Sequence, residues 1–433
     1  MMTDSIRDLL VRGIAAAKAQ EKDEACFFLE WVLRLDPPLD ERLEALYWLN
    51  EASDDSKKKR DCLEEILARR PTDYRARRSL AVLEGRLDPR TIINPDQPVP
   101  VMDDIEEETS AQRFVCSKCG GRLVYTPDGQ SLSCEFCDQQ EALSYQLESA
   151  QMEMNDEFTV AMATSQGHSR PMTIRSFECR ACGAKFMLAP QALSTNCPYC
   201  DSVYVLDTSE SKPIRAPDQI IPFKIDHSRA EAILEAWFVS RRIPAKSQAV
   251  VLQGRYLPVW NFSISGSVTW PTKSIEGELW STAESQKYVS FAGILIPATQ
   301  SFPIQFLDGD NRFDLSEICQ YEAAFLADWP AETYQLTLSE ASLKARWEVV
   351  ERVRGMVWRE RAASMHDLKI NSMDLIITAF DVLLLPLWFA QFQHRGEQYW
   401  AYINGQNGML LGEQPGKRGN DGWLARTMGG SQH

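Results

Sequence analysis

Two four-cysteine units constrain what this chain can fold into more than any other feature. The first runs Cys116-Ser-Lys-Cys119, then 14 residues, then Cys134-Glu-Phe-Cys137. The second, 63 positions later, runs Cys179-Arg-Ala-Cys182, again 14 residues, then Cys197-Pro-Tyr-Cys200. Two CxxC pairs bring four thiolates to one point, and four thiolates close a tetrahedron around one zinc ion. Gly120 and Gly183 follow the first pair of each unit, where the tight turn calls for φ > 0 and glycine adopts it without steric cost. Asp138 and Asp201 follow the second pairs, and aspartate tolerates the left-handed region better than most residues. The spacing predicts two tandem zinc ribbons, each a pair of knuckles joined by a hairpin, and two zinc ions per chain. Units this small lack a core of their own, so the metal supplies folding free energy directly.

A ligand set made only of cysteine leaves no coordination position open for water. The expected role of the zinc is therefore structural rather than catalytic. A four-thiolate iron site of the rubredoxin kind is the competing reading. Cys197-Pro-Tyr-Cys200 alone resembles a glutaredoxin motif, but a paired CxxC lies upstream and an apolar stretch, residues 203–206, lies downstream. Both favour metal. Cys26, Cys62 and Cys319 have no CxxC partner, and Cys26 and Cys62 fit helix faces as core thiols.

With 433 residues the chain exceeds one ordinary core, so several domains are expected. Residues 1–89 are helical in pattern and repeat with a period of 34: residues 28–33 align with 62–67, Pro37 with Pro71, Leu46 with Leu80 and Leu49 with Leu83. This period, with proline after the second helix, resembles the tetratricopeptide repeat over about two units. A plain helical bundle is the alternative. Residues 90–113 read as a Pro-rich acidic linker, carrying Pro95, Pro98 and Pro100 before a run of Asp and Glu. The ribbons occupy 114–143 and 177–207, and 144–176 connects them with a short strand expected near 158–162. Residues 208–415 read as an α+β domain with antiparallel sheet, and 416–433 as a flexible tail.

Within that domain, residues 228–241 and 339–361 have helical patterns. Ser228 with Glu231, and Thr337 with Glu340, have the spacing of a capping box. The second helix is expected to bury Leu343, Trp347, Val350 and Val357. Each helix precedes a similar apolar stretch, Leu257-Pro258-Val259-Trp260 and Leu385-Pro386-Leu387-Trp388. Proline cannot donate to a ladder, so both should sit at a strand start, an edge or a bulge. Asn404-Gly405 and Asn407-Gly408 predict tight hairpin turns.

Charge and missing motifs narrow the function. A formal net charge of −15 disfavours wrapping duplex DNA or lying on an anionic membrane. The most apolar stretch, residues 375–390, contains Asp381 and Pro386 and is shorter than the ~20 residues that span a bilayer. Residues 1–10 lack a secretory pattern, and paired CxxC motifs in such a chain favour metal over disulfides, which points to a cytoplasmic location. No phosphate-binding loop, HExxH or GxSxG occurs. The histidines His168, His227, His366, His394 and His433 are scattered, so no catalytic residue is assigned.

The cysteine units, with Ile220-Ile221-Pro222-Phe223-Lys224, Tyr256-Leu257-Pro258-Val259-Trp260 and the ending Asn404-Gly405-Gln406-Asn407-Gly408, carry a family resemblance. The chain resembles uncharacterised bacterial proteins with TFIIB-type zinc ribbons, also described as similar to the zinc-binding part of the primosomal replication helicase. The resemblance implies the architecture and the zinc, with all eight cysteines as ligands, and leaves the activity open. The favoured reading is an interaction protein that recruits a protein partner through the helical module. The alternative is a factor bound to single-stranded nucleic acid, although Lys118, Arg122, Arg180 and Lys185 give the units only a weak basic footprint. The third is an enzyme with its site in residues 208–415.

Overall fold

The computed structural model describes residues 2–93, 107–108, 111–112, 114–121, 123–126, 131–134, 136–137, 139–142, 157–168, 175–178, 185–188, 194–196, 203–206, 216–243, 251–276, 279–299, 302–307, 313–327, 329–332, 334–361, 369–395, 397–413 and 415. The tail at 416–433 lies outside them. Five helices open the chain: α1 (Met2–Lys18), α2 (Lys22–Arg34), α3 (Leu39–Ala52), α4 (Ser56–Arg69) and α5 (Tyr74–Leu83). Pro38 caps α3, and the side chains of Asp55 and Asp73 accept from the first free amides of α4 and α5. The helix starts repeat as the sequence does, α4 lying 34 positions after α2 and α5 lying 35 after α3. Equivalent positions share one core: Leu29 with Leu63, Val32 with Ile66 and Leu46 with Leu80 are all buried there. Cys62 joins this core, and burial pushes its thiol up to about 11.

The cysteine region contributes short strands: β1 (Glu107–Glu108), β2 (Ala111–Gln112), β3 (Leu123–Thr126), β4 (Ser131–Cys134) and β5 (Gln140–Ala142). Next come helix α6 (Glu157–Ala163) and strands β6 (Arg175–Glu178), β7 (Lys185–Leu188), β8 (Ser194–Asn196) and β9 (Val203–Leu206). β8 starts 63 positions after β4, and β9 starts 63 after β5, so the duplication seen in the cysteines extends to the backbone. The end of the acidic segment is more than a spacer, because β1 pairs in parallel with β6 and β2 pairs antiparallel with β9. The short strand expected near residue 158 is the helix α6 instead. Phe158, Ala161 and Met162 fall on one helical face there and pack on the core of the large sheet, with the Phe158 ring 5.9 Å from that of Phe380.

The remaining elements are β10 (Gln219–Ile220), α7 (His227–Ser240), β11 (Val251–Glu276), β12 (Leu279–Pro297), β13 (Cys319–Gln320), α8 (Leu338–Arg361), β14 (Asn371–His394), β15 (Glu397–Asn404) and β16 (Leu410–Gly412). They build a sheet in the order β12-β11-β14-β10-β13, with β15 beside β14 and β16 beside β15. The pairing is antiparallel except for the short parallel contact of β10 with β14. The expected α+β architecture with an antiparallel sheet is therefore present. Antiparallel pairing of β11 with β14 sets the two Leu-Pro-x-Trp stretches opposite each other, Tyr256 facing Pro386 and Pro258 facing Leu384. Each proline sits where its outer neighbour changes. Pairing with β12 begins at Val259, and β14 passes from β10 at Leu384 to β15 at Leu387. Neither proline begins a strand or sits at a bulge, two of the places expected for it; both lie inside long strands, at these changes of neighbour.

The two tryptophans make a reciprocal lock. Trp260 of β11 donates its indole N–H to the Leu336 carbonyl at 2.8 Å, two residues before α8. Trp388 of β14 donates to the Ile225 carbonyl at 2.9 Å, two residues before α7. Each half of the domain thus holds the entry of the other half's helix. The caps differ in kind. Thr337 and Glu340 form the expected box, with reciprocal bonds of 3.0 and 3.2 Å. At α7 the cap is Asp226, whose carboxylate accepts from Arg229 N at 2.7 Å, and not Ser228 with Glu231. Thr337→Ala is expected to cost about 1 kcal/mol in urea unfolding.

The buried face of α8 also differs from expectation. Ala341, Ala345, Val349, Val353 and Val357 pack on the sheet, whereas Leu343 and Trp347 are 68% and 63% exposed. Small residues at every fourth position let the helix axis approach the strands, and the larger side chains are left on the outer flank. Trp347 there lies under the Arg354 guanidinium, 6.0 Å from the ring centre. The Asn-Gly pairs do close a hairpin, with Gly408 at φ +77. The Asn404 carboxamide accepts from the amides of Gln406 and Asn407 and orders the loop. Gly405 lies against Phe223 and Pro386, and its carbonyl accepts from Lys224 N and Ile225 N. The sequence stretches that carry the family resemblance therefore meet as a structural junction.

Candidate metal centre

Cys116 lies in a tight turn in which Gly121 O accepts from Cys116 N at 2.7 Å and Cys116 O from Gly120 N at 2.9 Å. Gly120 takes φ +71, as the spacing required. The Gly121 amide donates to Cys119 Sγ at 3.4 Å, which is how a knuckle spreads thiolate charge. The second pair spans the link between β4 and β5. There Cys134 N donates to Gln139 O at 2.9 Å and folds the chain back. A side chain at Gly121 would meet the Phe136 ring at 2.6 Å and two cysteine sulfurs at 3.2 Å, so only glycine closes the turn here.

These two turns bring together Cys116, Cys119, Cys134 and Cys137, whose sulfurs all lie within 4.8 Å of one another. The closest are Cys116 to Cys137 at 3.6 Å and Cys119 to Cys134 at 3.5 Å. Four sulfurs at 2.3 Å from one zinc stand about 3.8 Å apart, so the residues fit a tetrahedral ion. All four are free thiols. Among the described residues no other group of three or more Cys, His, Asp or Glu is arranged to hold a metal. Cys134 already favours the thiolate. The Phe136 amide, then that of Cys137, lowers its pKa to about 7 against some desolvation. At Cys119 the Gly121 amide works against the shift, but the neighbouring Cys134 and Cys137 thiols push it up to about 12. A metal ion would have to displace protons from this set, which makes its binding stronger as pH rises.

Cys179, Cys182, Cys197 and Cys200 lie outside the described residues. The strands bracketing them are described. β6 and β7 pair antiparallel up to Glu178 opposite Lys185, and β8 and β9 up to Asn196 opposite Val203. Each CxxC therefore falls in the connection between two paired strands.

The first cluster is not free-standing. Cys116 and Cys134, 2% and 1% exposed, belong to the same buried core as Ile220, Phe223, Tyr256, Leu384 and Trp388. β3 makes the bond: Tyr125 N donates to Ala327 O at 3.1 Å, and Trp329 Nε1 donates to Tyr125 O at 3.1 Å. Tyr125 Oη donates to Phe223 O at 3.4 Å, and Phe223 N donates to the Tyr256 hydroxyl at 3.1 Å. Sequence reasoning allowed the C-terminal domain either a further partner or docking against the ribbons, and named no residues for the contact. The local trace of the docking was the alternation of Leu123 and Tyr125 with Val124 and Thr126, which marks one buried face without saying what covers it.

The remaining chemistry-bearing residues do not converge. Cys319 is buried against Ile220 O, and desolvation pushes its thiol up to about 12, as expected of an inert core cysteine. His227 sits beside Trp388, His168 beside the Met162 carbonyl and His394 at the end of β14. His366 and His433 lie outside the described residues. No described helix is long and apolar enough to cross a membrane.

No family model matches the chain, and no solved structure matches it. The chain is similar to the protein of Bacillus subtilis (strain 168) called Uncharacterized protein YdjG, at 23% identity over 239 residues, which cover 50% of this chain and 69% of that protein.

Proposed function

We propose that this chain is a zinc-stabilised interaction protein of the bacterial TFIIB-type zinc-ribbon kind, with two structural zinc ions. Cys116, Cys119, Cys134 and Cys137 hold one; Cys179, Cys182, Cys197 and Cys200 hold the other. The observation that carries the reading is the closed set of four sulfurs at near-tetrahedral spacing. The 63-residue recurrence of cysteines and strands supports the second site. In this reading residues 1–89 form a tetratricopeptide-like module that recruits a protein partner in the cytoplasm, supported by the recurrence of two helix pairs at about 34 positions. Metal analysis of purified protein is expected to give about two zinc per chain. Iron in place of zinc, or a single equivalent, overturns the assignment.

One observation favours a second reading, association with single-stranded nucleic acid. Phe136, at the rim of the cluster, is 76% exposed and offers a stacking surface. A labelled oligonucleotide that binds at low salt and is lost in Phe136→Ala would support it; no binding at low salt removes it.

A further inference from the structure

The first cysteine cluster carries a role beyond stabilising its own loop, an inference that rests on the metal reading above. Residues 114–142 are too short for an independent core. Their buried side chains, Leu123, Tyr125 and Leu132, lie in the core of the large sheet instead. The unit is therefore held from two sides, by the sulfurs at one end and by the sheet at the other. The contact on the sheet side is extensive. Tyr125 meets Phe325 edge to face at 5.5 Å, and Phe223 stacks on Trp329 at 4.0 Å. Trp329 in turn donates to the Tyr125 carbonyl, and Tyr256 lies 5.0 Å from Phe223. Cys116 and Cys134 line this same core, so a displaced sulfur moves atoms packed against it.

We infer that the metal at Cys116, Cys119, Cys134 and Cys137 is a clasp for the C-terminal sheet. Its occupancy and the packing of β3 on Phe223, Phe325 and Trp329 are one linked equilibrium. Linkage is reciprocal. Removing the metal must loosen the Phe223–Trp329 junction, and loosening that junction must weaken metal binding, although none of its residues is a ligand. The partner of this cysteine unit is thus the chain's own sheet, while Val115, Cys119 and Phe136 at the knuckle rim face outward.

The test uses the full chain loaded with zinc and competed with a chromophoric chelator. Tyr125→Ala is expected to make one of the two equivalents leave about 5- to 30-fold more readily, with the other unchanged. Trp329→Phe, which keeps a ring on Phe223 but removes the N–H bond to Tyr125, is expected to act in the same direction by a smaller factor. It guards against a Tyr125→Ala chain that does not fold. Hydrogen exchange supplies the converse measurement: stripping zinc should expose the amides of Phe223 and Tyr256. Release within twofold of wild type in both variants, or unchanged exchange at Phe223 after the first site is emptied, overturns the clasp. A chain that never carries metal at Cys116 to Cys137 overturns the metal reading instead, so the two failures are distinguishable.

Discussion

Trp388→Ala is expected to lower stability by about 4 kcal/mol and to release α7 while leaving α8 protected. The indole is buried and fills space between Phe223 and His227, with ring separations of 5.6 and 5.5 Å. Truncation leaves a cavity and also orphans the buried Ile225 carbonyl that the indole N–H satisfies. Trp260→Ala should cost a similar amount but act on the other helix. Trp260 packs on Tyr334 at 5.0 Å and satisfies the carbonyl that leads into α8. Urea unfolding gives the magnitudes, and hydrogen exchange resolved over residues 227–240 and 338–361 gives the pattern. If either substitution loosened both helices equally, the tryptophans would be general core filling and not a crossed pair of locks.

Gly266→Ala is the second large effect, expected at roughly 3–5 kcal/mol from backbone strain together with overpacking. Gly266 lies in β11 between two neighbours, opposite Val289 on one side and Leu375 on the other. Its φ of +148 is a conformation that side chains avoid, and a Cβ there would stand 2.0 Å from the Asp374 carbonyl oxygen. That atom is backbone in the central strand pair, so it cannot turn aside as a side chain could. Gly355 of α8 provides the contrast, because a Cβ there meets nothing within 4 Å. Gly355→Ala is expected to be neutral or to stabilise by up to about 1 kcal/mol, since alanine loses less entropy on entering a helix. Thermal melts of the two variants should move in opposite directions; a Gly266→Ala chain as stable as wild type would mean that β11 can re-register on β14 at the irregularity between Ser267 and Thr269.

What was legible in the sequence was local. CxxC spacing and the glycine at 120 specify a turn within a few residues, and the turn forms as written. The Thr337–Glu340 box and the 34-residue period are likewise short-range signals. The helix face of α8 was not legible from hydrophobicity, because Leu343 and Trp347 are as apolar as the residues that are buried. Size decided it: a helix lying flat on a sheet selects Ala and Val at the contact. The docking of Tyr125 on Phe325 and Trp329 joins residues about two hundred positions apart, and no periodicity encodes such a partner. The two prolines were expected at a strand start, an edge or a bulge; both lie inside long strands, and only the register of β11 with β14 shows that their Leu-Pro-x-Trp stretches run opposite each other. The second cysteine set and the tail lie outside the described residues, so the sequence remains the sole witness to them.

The pairing of β1 and β2 with β6 and β9 has a consequence for synthesis on the ribosome. Ala111 and Gln112 leave the exit tunnel first, yet their partner β9 ends only at Leu206. At roughly 5–20 residues per second the chain waits on the order of ten seconds between the two. On the metal reading proposed above, Cys116 to Cys137 are all available during that interval, so an ion could bind them while the strand segment before them is still unpaired. Its landing surface at Phe325 and Trp329 arrives later again. If both cysteine units take metal as proposed above, nascent-chain metallation should proceed in order along the polypeptide, with the early ion held by a half-built site until the C-terminal sheet is complete.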